Sequence, residues 1–288
     1  MDEVLTDSKV SRLIELAILE DIGMGDITTE AIVPSSLLGR ADLLVKETGI
    51  LAGLEVASLV FQCVDPELTL HTLCSDGSLV EAPIVIAKVD GPVSSILKAE
   101  RAALNVLQRM SGIATLTRKF VDCVKGTNAR ITDTRKTAPG LRILDKLAVR
   151  IGGGVNHRFG LEDMMLIKDN HIAAAGSIGA AIERCAAWIE TSKRKVNVEV
   201  ETKNIEEVRQ ALQYAIVDRI MLDNFGLDEI REACRVINGA AEVEVSGRVS
   251  LVNVREIAET GVDFISIGAL THSPTALDIS LEFEVLPR

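Results

Sequence analysis

The sequence predicts an α/β fold: a small N-terminal α+β sandwich domain, then an incomplete parallel α/β barrel of about six strands. Three observations support this class. Nearly half of the residues are apolar but only 3% are aromatic, so the core must be mainly Ile, Leu, Val and Ala, as in parallel sheets covered by helices. β-Branched segments alternate with helical patterns in the second half of the chain. A length of 288 residues suits a barrel with a smaller partner domain.

The N-terminal domain is assigned to residues 1–112. Apolar residues at helical spacing predict helices over residues 8–21, 54–64 and 99–110. Ser111 and Gly112 are interpreted as the end of the last helix and as the domain boundary. Short β-rich runs predict strands at residues 41–45, 68–73, 83–89 and 93–97.

The barrel domain is assigned to residues 113–275, and each of its first five strands is followed by a helical pattern. The predicted strands cover residues 130–134, 165–167, 196–200, 219–222, 241–245 and 264–267. Residues 277–285 alternate strictly between apolar and polar, which predicts a half-exposed strand unlike the buried barrel strands. We therefore expect residues 276–288 to return to the N-terminal domain.

Composition excludes several classes of protein. A net charge of -11 and few aromatic residues argue against a nucleic-acid partner. Five widely spaced cysteines, an odd number, predict reduced thiols instead of a metal quartet or a disulfide framework. The acidic N-terminus lacks the apolar region of a signal peptide, and no apolar run is long enough to span a bilayer. We therefore expect a soluble cytoplasmic protein without a membrane partner.

Positive charge is concentrated between Arg130 and His171, a stretch that contains eight Lys or Arg residues and five Asp or Glu residues. Arg142, Lys146 and Arg150 lie four residues apart, which is typical of the solvated face of a helix. Arg135 and Lys136, by contrast, lie between a predicted strand and a predicted turn. Strand ends carry the active sites of α/β barrels, so this stretch predicts an anion-binding site.

Polar residues or glycine follow all six predicted barrel strands, and parallel strands place these positions on one face. The residues are Arg135, Lys136, Lys168, Glu201, Asp223, Asn224, Ser246, Gly247 and Gly268. The cations, with His157 and Arg158, suit carboxylates of a small dianion. Glu201 and Asp223 suit hydrated Mg²⁺ or a cationic transition state. Ser246, Gly247, Gly268 and the turn at His272 suit a phosphate.

Some residues keep two interpretations at this point. The glycines 152–154 either end a helix or allow a ligand to approach closely. His71 lies in a strand pattern and is interpreted as structural, whereas His157 lies in a glycine-flanked loop and is interpreted as functional. His171 either orients its loop or acts in the site, and His272 either contacts phosphate or holds the turn.

The sequence resembles the quinolinate phosphoribosyltransferases, also called nicotinate-nucleotide pyrophosphorylases (carboxylating). The resemblance covers nearly the whole chain and rests on a series of motifs. They are EDIGMGDITTE (20–30), ERAALNVLQRMSGIAT (100–115), TRKTAPGLR (134–142), GGGVNHRFGLEDMMLIKDNH (152–171), EVE (199–201), MLDN (221–224), VSG (245–247) and SIGALTHS (266–273).

The resemblance implies transfer of phosphoribosyl from 5-phosphoribosyl-1-pyrophosphate (PRPP) to quinolinate with loss of CO₂, giving nicotinate mononucleotide for NAD biosynthesis. It implies that quinolinate is bound by Arg135, Lys136, His157, Arg158 and Lys168. It also implies a homodimer in which Arg101 of one subunit completes the partner's site. Mg²⁺ is expected with PRPP, near Glu201 and Asp223, and no organic cofactor is expected. Catalytic roles are assigned to Lys136, Lys168, Glu201 and Asp223, and PRPP binding to Ser246, Gly247, Gly268 and His272.

Three alternatives stay open from the sequence. One is a related PRPP-using or molybdenum-associated homologue with another substrate. The second is an aldolase that forms a Schiff base through Lys136 or Lys168. The third is a phosphate-binding barrel without catalytic activity.

Overall fold

The structure, a computed structural model, describes residues 6–285, which divide into two compact units. The first unit consists of residues 6–118, 137–153 and 270–285, and the second of residues 119–136 and 154–269. The second unit carries the parallel sheet and the candidate site. The predicted domain boundary at residue 112 stays a prediction.

The helices and strands follow the alternation expected of an α/β protein. Up to the parallel sheet they are α1 (Ser8–Ile22), α2 (Ile27–Ile32), β1 (Leu38–Val45), β2 (Gly49–Ile50), α3 (Leu54–Val64), β3 (Thr69–Thr72), β4 (Leu79–Val80), β5 (Ile84–Pro92) and α4 (Val93–Cys123). The later elements are β6 (Arg130–Thr132), α5 (Arg142–Ile151), β7 (Met165–Ile167), α6 (Asp169–Ala175), α7 (Ile178–Ser192), β8 (Val198–Thr202), α8 (Ile205–Ala211), β9 (Arg219–Asp223), α9 (Leu227–Ile237), β10 (Glu242–Ser246), α10 (Val254–Ala258), β11 (Phe264–Ser266), α11 (Ala269–His272) and β12 (Ile279–Val285).

The first unit contains a four-stranded sheet in the order β12-β1-β5-β3. Alternate residues of β1 are buried, as in a strand with one face on a core. β12 pairs antiparallel with β1, from Gly39 opposite Val285 to Val45 opposite Ile279. The prediction that the C-terminal segment returns to the N-terminal sheet is confirmed.

The beginning of α4 corrects the prediction of a strand at residues 93–97, which are helical. Pro92, the last residue of β5, has no N–H with which to extend the ladder. Ile96, Ala99 and Ala103 are fully buried and recur every three or four residues, which is the spacing of one helix face. Helical packing therefore outweighs the β-branched residues at the start of this segment.

The predicted end of a helix at Ser111 and Gly112 is also wrong, because α4 continues through both residues. Ser111 is buried, and its hydroxyl donates to the Ala52 carbonyl oxygen (3.1 Å). A β-carbon at Gly112 would lie 2.1 Å from the Thr275 carbonyl oxygen. Gly112 is therefore required for close backbone packing and does not end the helix.

Helix α5 belongs to the first unit and is more deeply buried than a solvated helix. Arg150 is exposed, but Lys146 is buried, so the interpretation of a solvated basic face is wrong for Lys146. Gly152 caps α5, and a β-carbon there would lie 2.6 Å from the Ala114 carbonyl oxygen. Gly152 therefore both ends the helix and permits close packing within the first unit.

The second unit contains six strands in the order β6-β11-β10-β9-β8-β7, and each neighbouring pair is parallel. The first and second strands along the chain, β6 and β7, lie at the two ends of this order. This is the order of a barrel that is open between those two strands. The predicted incomplete α/β barrel is confirmed.

Within residues 6–285, no single helix is long and apolar enough to cross a membrane. Helices α6 and α7 reach the necessary length and composition only as a pair, and their axes differ by 89°.

Candidate active site

A cavity of about 140 Å³ lies at the carboxyl ends of the barrel strands in the second unit. Four cationic side chains line it: Arg135 and Lys136 after β6, Arg158, and Lys168 directly after β7. The other lining residues are Thr134, His157, Leu166, Met221, Glu244, Ser246 and Ser266. The structure thus gathers cations that are up to 33 residues apart in sequence into one cavity.

Arg158 is the most deeply buried of these four cations. Its Nη1 donates to the Met164 carbonyl oxygen (3.0 Å), while its buried Nε has no hydrogen-bond partner among the described residues. Burial and the charge of Arg135 lower the pKa of Arg158. An anion in the cavity would relieve both effects, because it supplies an opposite charge and hydrogen-bond acceptors.

Asp133, directly after β6, fixes the segment that carries His157 and Arg158. It is buried, and its carboxylate accepts hydrogen bonds from the His157 backbone N–H (2.9 Å) and the Asn156 side-chain amide (2.6 Å). Val155 adds a parallel bridge to Thr132 at the end of β6. The segment is therefore held along the open side of β6.

Both ring nitrogens of His157 contact protein groups. Nδ1 accepts a hydrogen bond from the Arg158 backbone N–H (2.8 Å), and Nε2 lies 3.0 Å from Glu199 Oε2. Because Nδ1 is an acceptor, the ring proton must be on Nε2, from which it is donated to Glu199. The contact with Arg158 thus fits a ring proton on Nε2, and the ring is buried.

Glu199 and Glu244 are fully buried inside the barrel. Glu244 Oε2 lies 3.0 Å from Arg219 Nη1 and 3.6 Å from His157 Nε2. Burial raises the pKa of Glu199 to about 7, against the opposing charges of Arg219 and Arg158. Burial and the charge of Glu199 raise the pKa of Glu244 to about 7. The floor of the cavity is therefore polar and titratable, where barrels usually place aliphatic side chains.

The predicted carboxylates lie at neighbouring strand ends. Glu201 in β8 accepts a hydrogen bond from Lys168 Nζ (3.0 Å). Asp223 ends β9 directly opposite Ser246 in β10, and it accepts a hydrogen bond from the Asn224 side chain (3.0 Å). Glu201 and Asp223 are half-buried and adjoin two cavity-lining residues, Lys168 and Ser246.

Gly247 and Gly268 follow the last two barrel strands, as predicted. Gly247 has a φ of 94°, and a β-carbon there would lie 2.3 Å from Asn224 Oδ1. A side chain at this position would thus be both strained and crowded. Gly268 is half-buried, two residues beyond β11.

Two predicted residues, Arg101 and His272, belong to the first unit, and both are exposed. Arg101 lies on α4, and His272 Nδ1 lies 2.6 Å from Ser273 Oγ. In the second unit, His171 Nδ1 accepts a hydrogen bond from the Lys168 backbone N–H (2.9 Å). His171 therefore orients the start of α6, which is one of its two sequence-based interpretations.

Sequence reasoning missed four residues that support the cavity: Asp133, Glu199, Arg219 and Glu244. The sequence contains a partial signal for two of them. Glutamates two residues apart, Glu199 with Glu201 and Glu242 with Glu244, lie on one face of a strand. In a strand already assigned to a barrel, such a face points either inward or to covering helices, and neither location is solvated.

Comparison with known protein families agrees with the resemblance inferred from the sequence motifs. The model of the quinolinate phosphoribosyl transferase C-terminal domain matches residues 113–282, and that of the N-terminal domain matches residues 26–111. The chain belongs to the quinolinate phosphoribosyltransferase family. The predicted membership in this family is therefore confirmed.

Individual relatives are similar over most of the chain. Quinolinate phosphoribosyltransferase (decarboxylating) 2, mitochondrial, from Nicotiana glauca is 46% identical over 96% of this chain and 82% of its own length. Nicotinate-nucleotide pyrophosphorylase (carboxylating), chloroplastic, from Arabidopsis thaliana is 46% identical over 94% of this chain and 82% of its own. The structure of the Francisella tularensis nicotinate-nucleotide pyrophosphorylase matches with a TM-score of 0.90, at 40% identity over 96% of both chains.

These relatives correct the expected location. The plant proteins are named mitochondrial and chloroplastic, so the expectation of a cytoplasmic protein is not supported. The physical reason is that net charge, cysteine number and the absence of an apolar run describe the folded domains, which are shared by relatives in different compartments.

Proposed function

We propose that this protein transfers the phosphoribosyl group of PRPP to quinolinate. The quinolinate nitrogen attacks C1 of the ribose, and pyrophosphate leaves with the electron pair of the broken C–O bond. The C2 carboxylate then departs as CO₂, and C2 takes up a proton to give nicotinate mononucleotide. Membership in the family supports this reaction, which is a step of NAD biosynthesis, and the side chains of the cavity match its needs.

The observation that carries the proposal is the convergence of Arg135, Lys136, Arg158 and Lys168 on one small cavity. Quinolinate has two adjacent carboxylates, and a charge-assisted hydrogen bond to each contributes about 1.5–3 kcal/mol. In a chain of net charge -11, this local excess of cations has a clear use as an anion site. We assign the binding of quinolinate to these four residues, with His157 beside them.

Glu201 and Asp223 are proposed to act on the ribose side. As pyrophosphate departs, C1 gains positive charge, and carboxylates held nearby stabilise that charge more than they stabilise the ground state. Lys168 is hydrogen-bonded to Glu201, so it links the quinolinate side of the cavity to the ribose side. We assign catalytic roles to Lys168, Glu201 and Asp223 on this basis, and to Lys136 from the family resemblance.

The phosphates of PRPP are assigned to Ser246, Gly247 and Gly268, with His272 as a further contact. Ser246 lines the cavity and offers a hydroxyl. The positive φ of Gly247 turns the backbone at a strand end, where backbone N–H groups commonly bind phosphate.

Mg²⁺ is proposed to enter with PRPP. The residues fit this ion, because Glu201 and Asp223 supply carboxylate oxygens from neighbouring strands, the ligand type that Mg²⁺ prefers. We propose that they hold it through water and PRPP. When bound, Mg²⁺ neutralises charge on the pyrophosphate. For decarboxylation, the pyridinium nitrogen next to C2 accepts the electron pair, so the chain has to orient the ring and exclude water, and no organic cofactor is proposed.

A homodimer with Arg101 shared across the interface is proposed from the family resemblance. Arg101→Ala and Lys168→Ala should each be nearly inactive alone. In randomly mixed dimers, half of the molecules are heterodimers and one site in each is intact, so activity should recover to about a quarter. Mixed dimers isolated with two affinity tags that show no recovery would contradict sharing.

The reaction itself is tested with purified protein, PRPP, Mg²⁺ and quinolinate labelled with carbon-14 at the C2 carboxylate. We expect labelled CO₂ and nicotinate mononucleotide in equal amounts. Turnover of nicotinate without CO₂ from quinolinate would instead indicate a related transferase. A lysine adduct trapped by borohydride would indicate the Schiff-base alternative.

A further inference from the structure

His157 connects a buried acid to the backbone of a substrate-binding cation. Its Nε2 donates to Glu199 Oε2 (3.0 Å), and its Nδ1 accepts from the Arg158 backbone N–H (2.8 Å). Glu199 lies near the middle of β8, a regular strand of the barrel. The imidazole therefore ties the loop that carries Arg158 to a fixed point of the scaffold.

This connection depends on one tautomer. A proton on Nδ1 would place two N–H groups against each other at the 2.8 Å contact with Arg158. With the proton on Nε2, the Glu199 carboxylate accepts it in a charge-assisted hydrogen bond, which is stronger than a hydrogen bond to a neutral acceptor. Glu199 thus selects the tautomer that the Arg158 backbone requires.

We propose that Glu199 and His157 form a positioning pair that aims Arg158 at a carboxylate of quinolinate, an inference that rests on the proposed function. In this role His157 acts on the substrate through the Arg158 backbone. The buried Arg158 Nε, which has no hydrogen-bond partner among the described residues, is a donor available to the substrate.

Asp133 adds a second contact to His157, because its carboxylate accepts a hydrogen bond from the His157 backbone N–H (2.9 Å). Two acids from different strand regions therefore hold His157, one by its backbone and one by its ring. The Arg158 guanidinium is held by the Met164 carbonyl oxygen, 3.0 Å from Nη1. Because the Arg158 side chain extends from a backbone whose N–H is bound by the His157 ring, the direction of the guanidinium depends on that ring.

A metal ion is the competing use of this cluster, since ligand atoms of His157, Glu199 and Glu244 lie within 4.8 Å of one another. Arg219 Nη1, 3.0 Å from Glu244 Oε2, already supplies a positive charge there. In addition, a metal would need the Nε2 lone pair, which would move the ring proton to Nδ1 and break the contact with Arg158. The geometry therefore favours the positioning pair.

The kinetic test compares two substitutions of similar volume. Glu199→Gln keeps an oxygen acceptor for His157 Nε2–H, whereas Glu199→Met removes it. We expect Glu199→Met to raise KM for quinolinate by about tenfold or more and to leave KM for PRPP nearly unchanged, with Glu199→Gln close to wild type. Glu242→Gln is the matched control, because Glu242 also binds Arg219 but is half-exposed at the start of β10.

Equal effects of Glu199→Met on both KM values, or equal effects of Gln and Met, would overturn the proposal. Circular dichroism and thermal unfolding of each variant show whether it is folded. Should the wild type fail to turn over quinolinate, the proposed reaction fails first, and the pairing is then decided by a measurement that needs no activity.

That measurement is the tautomer of His157 in the wild-type protein, from long-range nitrogen–proton NMR with nitrogen-15-labelled histidine. The chain has four histidines, and the loss of one signal set in His157→Gln assigns the resonances. We expect a neutral Nε2–H ring in the wild type and a changed pattern in Glu199→Met. A ring protonated on Nδ1, or Zn²⁺ binding that shifts this signal at micromolar concentration, would overturn the pairing.

Discussion

Replacing Glu244 with Gln should make the free energy of unfolding less dependent on pH. Glu244 is fully buried in the barrel, where burial and the charge of Glu199 raise its pKa from 4.5 to about 7. His157, Arg219 and the Ser266 hydroxyl face the same carboxyl group and oppose the shift. Gln has nearly the same shape but does not titrate, so the substitution removes the titration of this carboxyl group.

The direction in which the free energy of unfolding changes with pH follows from proton binding. Between pH 4.5 and about 7 the folded protein keeps the proton that the unfolded chain has released, so stability is lost as pH rises through this window. A rise of the pKa from 4.5 to about 7 corresponds to at most about 4 kcal/mol, at about 1.4 kcal/mol per pKa unit. The Gln variant should therefore gain up to this amount relative to wild type as the pH is raised.

The assay is urea unfolding of both proteins at several values between about pH 5 and pH 8, with stability taken from the midpoint and slope. Glu242→Gln, in the same strand but half-exposed, is the control for the loss of a carboxylate near Arg219. A difference between Glu244→Gln and wild type that is constant over this range would refute the reasoning. It would mean that Glu244 is ionised throughout and that its pairing with Arg219 outweighs burial.

Two further predictions concern the first unit. Gly112→Ala should lower the free energy of unfolding by about 2 kcal/mol or more, because its β-carbon would meet the Thr275 carbonyl oxygen. The measurement is urea unfolding, and a neutral or stabilising effect would contradict the close approach. Arg109→Met should cost about 3 kcal/mol, because Asp145, which is fully buried and bound through both oxygens at 2.8 Å, would lose its counter-charge. Recovery of that stability in the Arg109→Met, Asp145→Leu double variant would confirm the cause.

The barrel could be predicted from the sequence because its pattern is local. β-Branched runs followed by helical patterns mark each strand, and the residue after each run marks the functional edge. For this reason the sequence alone identifies Arg135, Lys136 and Lys168, and all three line the cavity. The strand end of β10, at Ser246, is found in the same way.

The supporting layer could not be predicted in the same way, because it depends on which face of a strand points inward. Glu199 and Glu244 alternate with valines, a pattern identical to that of a strand with a solvated face. The structure decides the matter, because Glu199 and Glu244 are fully buried in the parallel sheet. Likewise, Gly112 signals a helix end in sequence, and only its contact with Thr275 shows that it serves packing.

The outer face of the barrel strands contributes packing energy, and the inner face carries the polar groups below the cavity. Outward-alternating residues such as Val200, Ile220 and Val245 are buried and apolar, so the strands gain their packing energy on the side of the helices. The inward face can then hold costly groups such as Glu199 and Glu244 without removing the main apolar core. Because these groups lie one layer below the strand ends, they can fix the orientation of the cavity side chains while the substrate contacts only the layer above.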